Sequence, residues 1–130
     1  MKRKLFYTMQ GSENSSRIGI EEKDGFEFEF MSEKLYGYVE DDHVYIIDPK
    51  TGMSIINDFI TEIIPEIDKI KRLADKLLEE KERLKIFLDK RNTPEYKIME
   101  KRFRHFKNGM KMHEKLNNER RRIQCLDGNL

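Results

Sequence analysis

The sequence has little that could cross-link the chain or anchor it in a membrane. Its one cysteine, Cys125, cannot form a disulfide within the chain, so we expect a fold that does not need an oxidising compartment. No stretch approaches the roughly 18 apolar residues of a membrane span. The apolar run that follows the basic residues 2–4 ends at Thr8, too early for the core of a signal peptide. We therefore expect a cytoplasmic protein without membrane contact.

Catalytic and metal-binding patterns are also missing from the sequence. His105 and His113 lie eight residues apart, not at the four-residue spacing of a helical metal pair, and His43 is the remaining histidine. There is no phosphate-binding glycine loop, no dinucleotide fingerprint and no nucleophile elbow. The run Asp41, Asp42 and His43 offers ligand-type side chains, although a charged hairpin tip has the same composition. We expect no metal, no cofactor and no enzymatic activity.

Charge is distributed unevenly along the 130 residues, a length that predicts a single domain over residues 1–130. The net charge is +1, yet residues 1–55 hold 7 basic and 11 acidic side chains, a balance of −4. Residues 97–124 hold 10 basic and 3 acidic side chains, a balance of +7. This asymmetry indicates either an anionic ligand or attraction between subunits.

The first part of the chain, residues 1–53, predicts an antiparallel β-meander and makes the protein α+β. Residues 26–30 alternate strictly, placing three phenylalanines on one face and two glutamates on the other. The run Lys23, Asp24 and Gly25 predicts a hairpin turn, and residues 48–52 predict a turn that closes the sheet. About five strands are expected, at residues 5–9, 17–22, 26–30, 35–39 and 44–47.

The second part, residues 54–126, predicts a long two-helix hairpin with its turn near residues 91–94. Apolar residues recur at steps of four and three, and Ser54 or Asn57 is the expected first cap, with a kink at Pro65. Thr93 is the expected second cap, with Pro94 at the first helical position. The first helix is roughly 50 Å long at 1.5 Å per residue, so its excess apolar face should meet another copy. Its expected seam is Ile56, Ile60, Ile63, Ile67, Ile70, Ala74, Leu77, Lys81, Leu84 and Leu88.

Two basic clusters are candidates for anion binding. Arg102, Phe103, Arg104 and Phe106 interleave cations with aromatic rings, which suits base stacking and phosphate pairing, although Phe103 and Phe106 also fit the apolar seam. The run Arg120, Arg121 and Arg122 can hold phosphate, although basic residues near a helix C-terminus are favourable in themselves. The polar residues 11–16, followed by Arg17, could also present donors to an anion.

The order of elements resembles that of the phage-encoded Thoeris anti-defense sponge proteins. The resemblance rests on an N-terminal antiparallel sheet, two long helices rich in arginine, and an aromatic residue and an asparagine near the helical turn. It implies a homo-oligomer, a dimer or higher, in the cytoplasm of a host cell, which sequesters an anionic signalling nucleotide of the cyclic ADP-ribose type and so counters immune signalling. It further implies Phe87 or Phe103 for adenine stacking, Asn92 or Asn108 for ribose, and Arg102, Arg104, Arg120, Arg121 and Arg122 for pyrophosphate.

Two other functions stay open on the sequence alone. The long apolar seams could dock on a host protein, as in an inhibitor or accessory subunit, with the charges on solvated faces. Alternatively, the basic second helix could bind nucleic acid, although the acidic sheet and the lack of a helix-turn-helix pattern argue against it.

Overall fold

Five antiparallel strands form one sheet in a computed structural model that describes residues 1–11, 18–40 and 42–127. Each strand pairs with the next along the chain, as the sequence predicts for a meander and for an α+β protein. The strands are β1 (Lys2–Gly11), β2 (Ile18–Phe30), β3 (Glu33–Glu40), β4 (His43–Ile47) and β5 (Ser54–Phe59).

The predicted hairpin turn at Lys23, Asp24 and Gly25 is wrong, because these residues lie inside β2 and pair with β1. Strands expected at residues 17–22 and 26–30 are therefore one strand. Gly25 serves close packing instead of a turn, since a Cβ atom there would lie 2.3 Å from the carbonyl oxygen of Gly37. Asp24 is held by Arg3, whose Nε and Nη2 donate to its carboxylate at 3.1 and 2.9 Å.

The fifth strand lies where the sequence predicted the start of a helix. In β5, Ile56 pairs with Ile46 of β4 and is fully buried, while its neighbour Asn57 is exposed. The four-residue spacing of Ile56 and Ile60 suits a helix. Isoleucine is β-branched, however, and such residues favour a strand where the edge of β4 is available for pairing. Ser54 and Asn57 are consequently not helix caps.

The predicted two-helix hairpin is wrong, because the C-terminal part is one long helix with shorter helices before it. Pro65 is extended (φ −59°, ψ 149°) and precedes a 3-10 helix, Glu66–Asp68, so it does not kink a longer helix. The helices that follow in the described part are α1 (Lys69–Glu79), α2 (Lys81–Asp89), a 3-10 helix (Lys90–Asn92) and α3 (Pro94–Asp127).

The predicted start of the long helix is confirmed. Pro94 is the first residue of α3, and the Thr93 hydroxyl accepts a hydrogen bond from the backbone N–H of Tyr96 at 3.3 Å. Thr93 thereby satisfies one of the backbone donors that an isolated helix end leaves free.

The sheet has one face covered by helices and another rich in aromatic rings. Leu73 of α1 and Leu84 of α2, both fully buried, pack on the first face. Their partners there are Phe26, Phe28, Leu35, Val39, Val44, Ile46, Ile56 and Ile60. On the second face the rings of Tyr38 and Tyr45 stack at 4.4 Å, and those of Phe6 and Tyr36 at 4.6 Å.

The predicted continuous seam does not form within the chain. Leu84 is buried, but Ile63 and Ile67 are 96% and 87% exposed. Lys81 is exposed at the first position of α2, directly after the break at Glu80. The residues of the predicted seam therefore lie in a strand, in two short helices and on the exposed surface.

Candidate functional site

A buried carboxylate fixes the start of α3 to the sheet. Asp48, which is fully buried at the end of β4, accepts hydrogen bonds from Arg91 Nη2 at 2.7 Å and from the Tyr96 hydroxyl at 2.6 Å. The Thr51 hydroxyl donates to the same carboxylate at 2.8 Å. Burial, and then the hydrogen bond to Asp48, raise the pKa of the Tyr96 phenol. Three separate segments of the chain are thus held at one point.

Gly52 and Phe103 form a second attachment of α3. The Phe103 ring is 1% exposed and lies so close to Gly52 that a Cβ atom there would be 2.4 Å from Cε2 of the ring. Gly52 has φ +67°, and its carbonyl oxygen accepts a hydrogen bond from the Met9 N–H at 2.7 Å. Residues 48–52 form the predicted turn, but it connects β4 to β5 instead of closing the sheet, and it also packs against the long helix.

Beyond this point α3 continues beside β1, where one of its sides is partly covered. Phe106 and Met110 are half-buried, in line with Phe103 at helical spacing. Glu114 lies near Tyr7, whose pKa is raised first by burial and then by this carboxylate. An outer side of the helix, about a third of a turn round from this covered side, is exposed.

That outer side carries a regular stripe of basic residues, which we call the basic face. Its members follow one another at alternating steps of four and three, so they share one side of the helix. Each is exposed. The stripe spans about 38 Å at 1.5 Å per residue. The basic face consists of Lys97, Lys101, Arg104, Asn108, Lys111, Lys115, Asn118 and Arg122.

The cations of the basic face are almost all unpaired within the described chain. Arg104 has a carboxylate within 4 Å, that of Glu100 at 3.7 Å, whereas the other five cations of the face have none among the described residues. Several cations elsewhere are closely paired, as Lys76 is with Asp58 at 2.6 Å. The pKa of Lys107, beside the face, is lowered by burial and then by repulsion from Lys111 and Arg104. The basic face therefore carries a net positive charge.

A shallow groove of about 460 Å³ lies along the C-terminal part of the basic face. Lys111, Lys115, Asn118 and Arg122 line it, together with two glutamates. Four of its six lining residues belong to the face, so an elongated ligand would meet donors along its length.

The structure distributes the predicted site residues over several separate places. Phe87 is half-buried with its ring 6.0 Å from that of Tyr96, and Asn92 is exposed at the end of the nearby 3-10 helix. Arg102 is exposed, with its guanidinium 5.9 Å from the Phe106 ring, on a different side of α3 from the basic face. The basic face itself holds Arg104, Asn108 and Arg122, while Arg120 and Arg121 are exposed elsewhere on α3.

These places do not form one small pocket within a single chain. Arg102 and Arg120 are separated by about 27 Å of helix. Phe103 is a core residue, so its ring is closed to a stacking base in this structure. The predicted donor loop at residues 12–17 lies outside the described residues, as does Asp41 of the acidic turn. In that turn the Asp42 carboxylate lies 2.7 Å from Nδ1 of His43.

Sequence reasoning missed four cations and an asparagine of this face: Lys97, Lys101, Lys111, Lys115 and Asn118. It counted the four cations in the charge of the helix but assigned none of them to a site. The signal that could have predicted the face is the spacing of these residues at steps of four and three, the same periodicity that apolar residues follow on the buried side of a helix.

Comparison with protein-family models gives no match, and searches of curated proteins and of solved structures give no significant match either. Among the described residues, no helix combines the length and the apolar content that a membrane crossing requires. The function is therefore inferred from the geometry of α3.

Proposed function

We propose that this chain is a non-enzymatic binding protein that holds the phosphodiester backbone of a nucleic acid along the basic face of α3. One observation carries the proposal. Six exposed cations lie in a single row, and five of them have no carboxylate within 4 Å among the described residues. Such a row gains free energy by releasing the counterions of a polyanion.

The length of the row favours an extended ligand over a mononucleotide. At 3.4 Å per base pair, about 38 Å corresponds to about 11 base pairs of duplex. A single nucleotide could contact two or three of these cations, leaving the others uncompensated. Sequestration of a small cyclic nucleotide, which the family resemblance implies, would need residues from more than one copy.

The residue types of the face favour binding that does not depend on base sequence. Lysine is a flexible point charge suited to phosphate, and Asn108 and Asn118 add donors and acceptors between the cations. Phosphate contacts position a protein on nucleic acid but carry no sequence information. Phe103, one of the two residues predicted to stack on a base, is buried. We therefore expect similar affinities for different base sequences.

The test compares two triple variants that remove the same charge from different places. Lys101→Gln, Lys111→Gln and Lys115→Gln together remove three cations of the basic face. Lys81→Gln, Lys85→Gln and Lys90→Gln together are the matched control, because these lysines are also exposed and lie on or next to α2. Fluorescence anisotropy with a labelled duplex of about 20 base pairs, longer than the face, measures the affinity.

We expect the first variant to bind at least about 30-fold more weakly at physiological salt, and the control to bind within about 3-fold of the unmodified protein. Equal losses in both variants would show that only net charge matters and would contradict a site on α3. An affinity for a cyclic dinucleotide or for an acidic protein that exceeds the affinity for duplex and single strands would contradict the proposal as well.

A further inference from the structure

The surface of α1 presents large apolar side chains to solvent. Ile67 and Ile70 are 87% and 44% exposed and are three residues apart, so they share one side of the helical segment. Ala74 and Leu78 continue the same side at steps of four, and Leu78 is 65% exposed. Ile63, just before Pro65, is 96% exposed. Side chains of this size are costly to leave in water.

Four charged residues lie on one flank of this apolar side and have no partner within the described chain. Asp68, Lys71, Arg72 and Asp75 make no side-chain ion pair or hydrogen bond with any described residue. Charges nearby on α1 are paired, since Lys69 lies 2.8 Å from Glu66 and Lys76 lies 2.6 Å from Asp58. The flank contains two positive and two negative groups, so its net charge is zero.

The four charged residues also line an open cavity of about 420 Å³ between α1 and residues 60–65. Ile63, Ile64 and Pro65 form part of its wall. The apolar side and the charged flank are thus next to a recess that can receive side chains from another surface. Together we call these residues the α1 surface.

We infer that the α1 surface docks against the α1 surface of a second copy of this chain. In a two-fold contact each patch meets itself, so a patch that holds both signs is complementary to its own copy where the axis brings opposite charges together. When two α1 helices run antiparallel with Ile70 near the axis, Asp68 of each copy lies beside Arg72 of the other. The contact would bury Ile67 and Ile70 of both copies at its centre.

The charge pattern distinguishes α1 from α3 as a surface for self-association. Two basic faces of α3 would repel each other, because only one of the six cations in each has a carboxylate within 4 Å among the described residues. The α1 surface carries both signs and, among residues whose burial is described, the most exposed isoleucines. A pair formed through α1 would carry two basic faces and leave both free. This inference does not depend on what the basic face binds.

Sedimentation velocity over a concentration series tests the inference. We expect a monomer–dimer equilibrium that Ile67→Asp shifts to monomer. The dissociation constant should be at least about 100-fold higher, since each dimer contains the substitution twice and loses two buried isoleucines. Ile86→Asp is the matched control, because Ile86 on α2 is 55% exposed and lies away from the contact. It should leave the dimer intact. Circular dichroism of each variant checks that the fold is retained.

A reciprocal charge exchange separates a second copy from any other partner. Asp68→Arg alone and Arg72→Asp alone should each weaken the dimer by about 10-fold or more, because each places like charges together twice. The double variant should regain most of the affinity, since the pair re-forms with reversed signs. A protein that stays monomeric throughout, a dimer that Ile67→Asp leaves unchanged, or a double variant as weak as the single ones would overturn the inference.

Discussion

Asp48 is the residue on which the attachment of α3 depends most. It is fully buried, while Arg91 is nearly so, and its two carboxylate oxygens serve four donors. Burial, the largest single cause, lowers the pKa of Arg91, but the charge and hydrogen bond of Asp48, together with Tyr96 and Glu33, leave that pKa raised. Arg91 also donates to Glu33 at 2.6 Å, which extends the network to β3.

We expect Asp48→Asn to lower the free energy of unfolding by about 3 kcal/mol, because it removes the buried counterion of Arg91 and leaves only the more exposed Glu33. Urea denaturation followed by circular dichroism measures the change. Asp24→Asn is the matched control, since the Arg3–Asp24 pair is exposed, and it should change stability little. A loss of less than about 1 kcal/mol for Asp48→Asn would contradict this role.

Gly52 is the second residue on which the attachment of α3 depends. Its positive φ of +67° opposes any side chain, and so does the Phe103 ring, which would lie 2.4 Å from an added Cβ atom. We expect Gly52→Ala to cost at least about 2 kcal/mol, from left-handed strain and displacement of the ring. Gly19→Ala, where a Cβ atom meets nothing within 4 Å, should change stability little in the same denaturation experiment. Equal effects of the two substitutions would show that Phe103 does not pack there.

At the scale of elements, one carboxylate joins β5 to the two short helices. Asp58 lies 2.6 Å from Lys76 of α1 and 3.4 Å from Arg83 of α2. The hydrogen bond from Lys76 holds the pKa of Asp58 below its ordinary value of 3.8. The pair therefore stabilises the fold above that pH, and its contribution is lost as the pH falls below 3.8.

We expect Asp58→Asn to reduce stability at pH 7 and to reduce the loss of stability between about pH 4 and pH 2, where the unmodified carboxylate takes up its proton. Thermal melts across this range measure the effect. Asp89→Asn is the control, because Asp89 is exposed, has no ion pair among the described residues and lies outside the α1 surface. A pH dependence that Asp58→Asn leaves unchanged would contradict the assignment.

The C-terminal half of α3 depends for its stability on its own helix propensity, since few of its described side chains are buried. Gly109 lies in this half, and a Cβ atom there would meet nothing within 4 Å, so no contact within the described chain requires glycine. We expect Gly109→Ala to raise helix content and to stabilise α3 by about 0.5–1 kcal/mol. Amide hydrogen exchange of residues 105–120 would show slower exchange, and faster exchange would contradict the helix there.

For the whole molecule, local sequence signals that had one interpretation predicted the fold well. The alternation of residues 26–30 buries Phe26 and Phe28, and Thr93 with Pro94 starts α3. Sequence signals that fit two different structures gave wrong predictions. Ile56 and Ile60 fit a strand or a helix, and Gly25 fits a turn or a close contact. Pairing with β4 and the approach of Gly37 decided these cases, and neither can be read from local sequence.

The candidate site was predictable in its charge but not in its geometry. The net charge of residues 97–124 is visible in the sequence, and Arg104, Asn108 and Arg122 do lie on one helix. Which side of that helix stays free depends on where Phe103 and Tyr96 attach it to the sheet. That attachment involves Gly52 and Asp48, about 50 residues earlier in the chain. Long-range contacts of this kind leave no local sequence pattern.

Salt dependence of nucleic-acid binding tests the central claim most directly. If the six cations of the basic face each neutralise a phosphate, the logarithm of the duplex association constant should fall with the logarithm of salt concentration at a slope of about −5. The triple variant at Lys101, Lys111 and Lys115 should reduce this slope to about −3, and the α2 control should keep it near −5. A slope near −1 for the unmodified protein, or the same slope in both variants, would contradict a polyanion lying along α3.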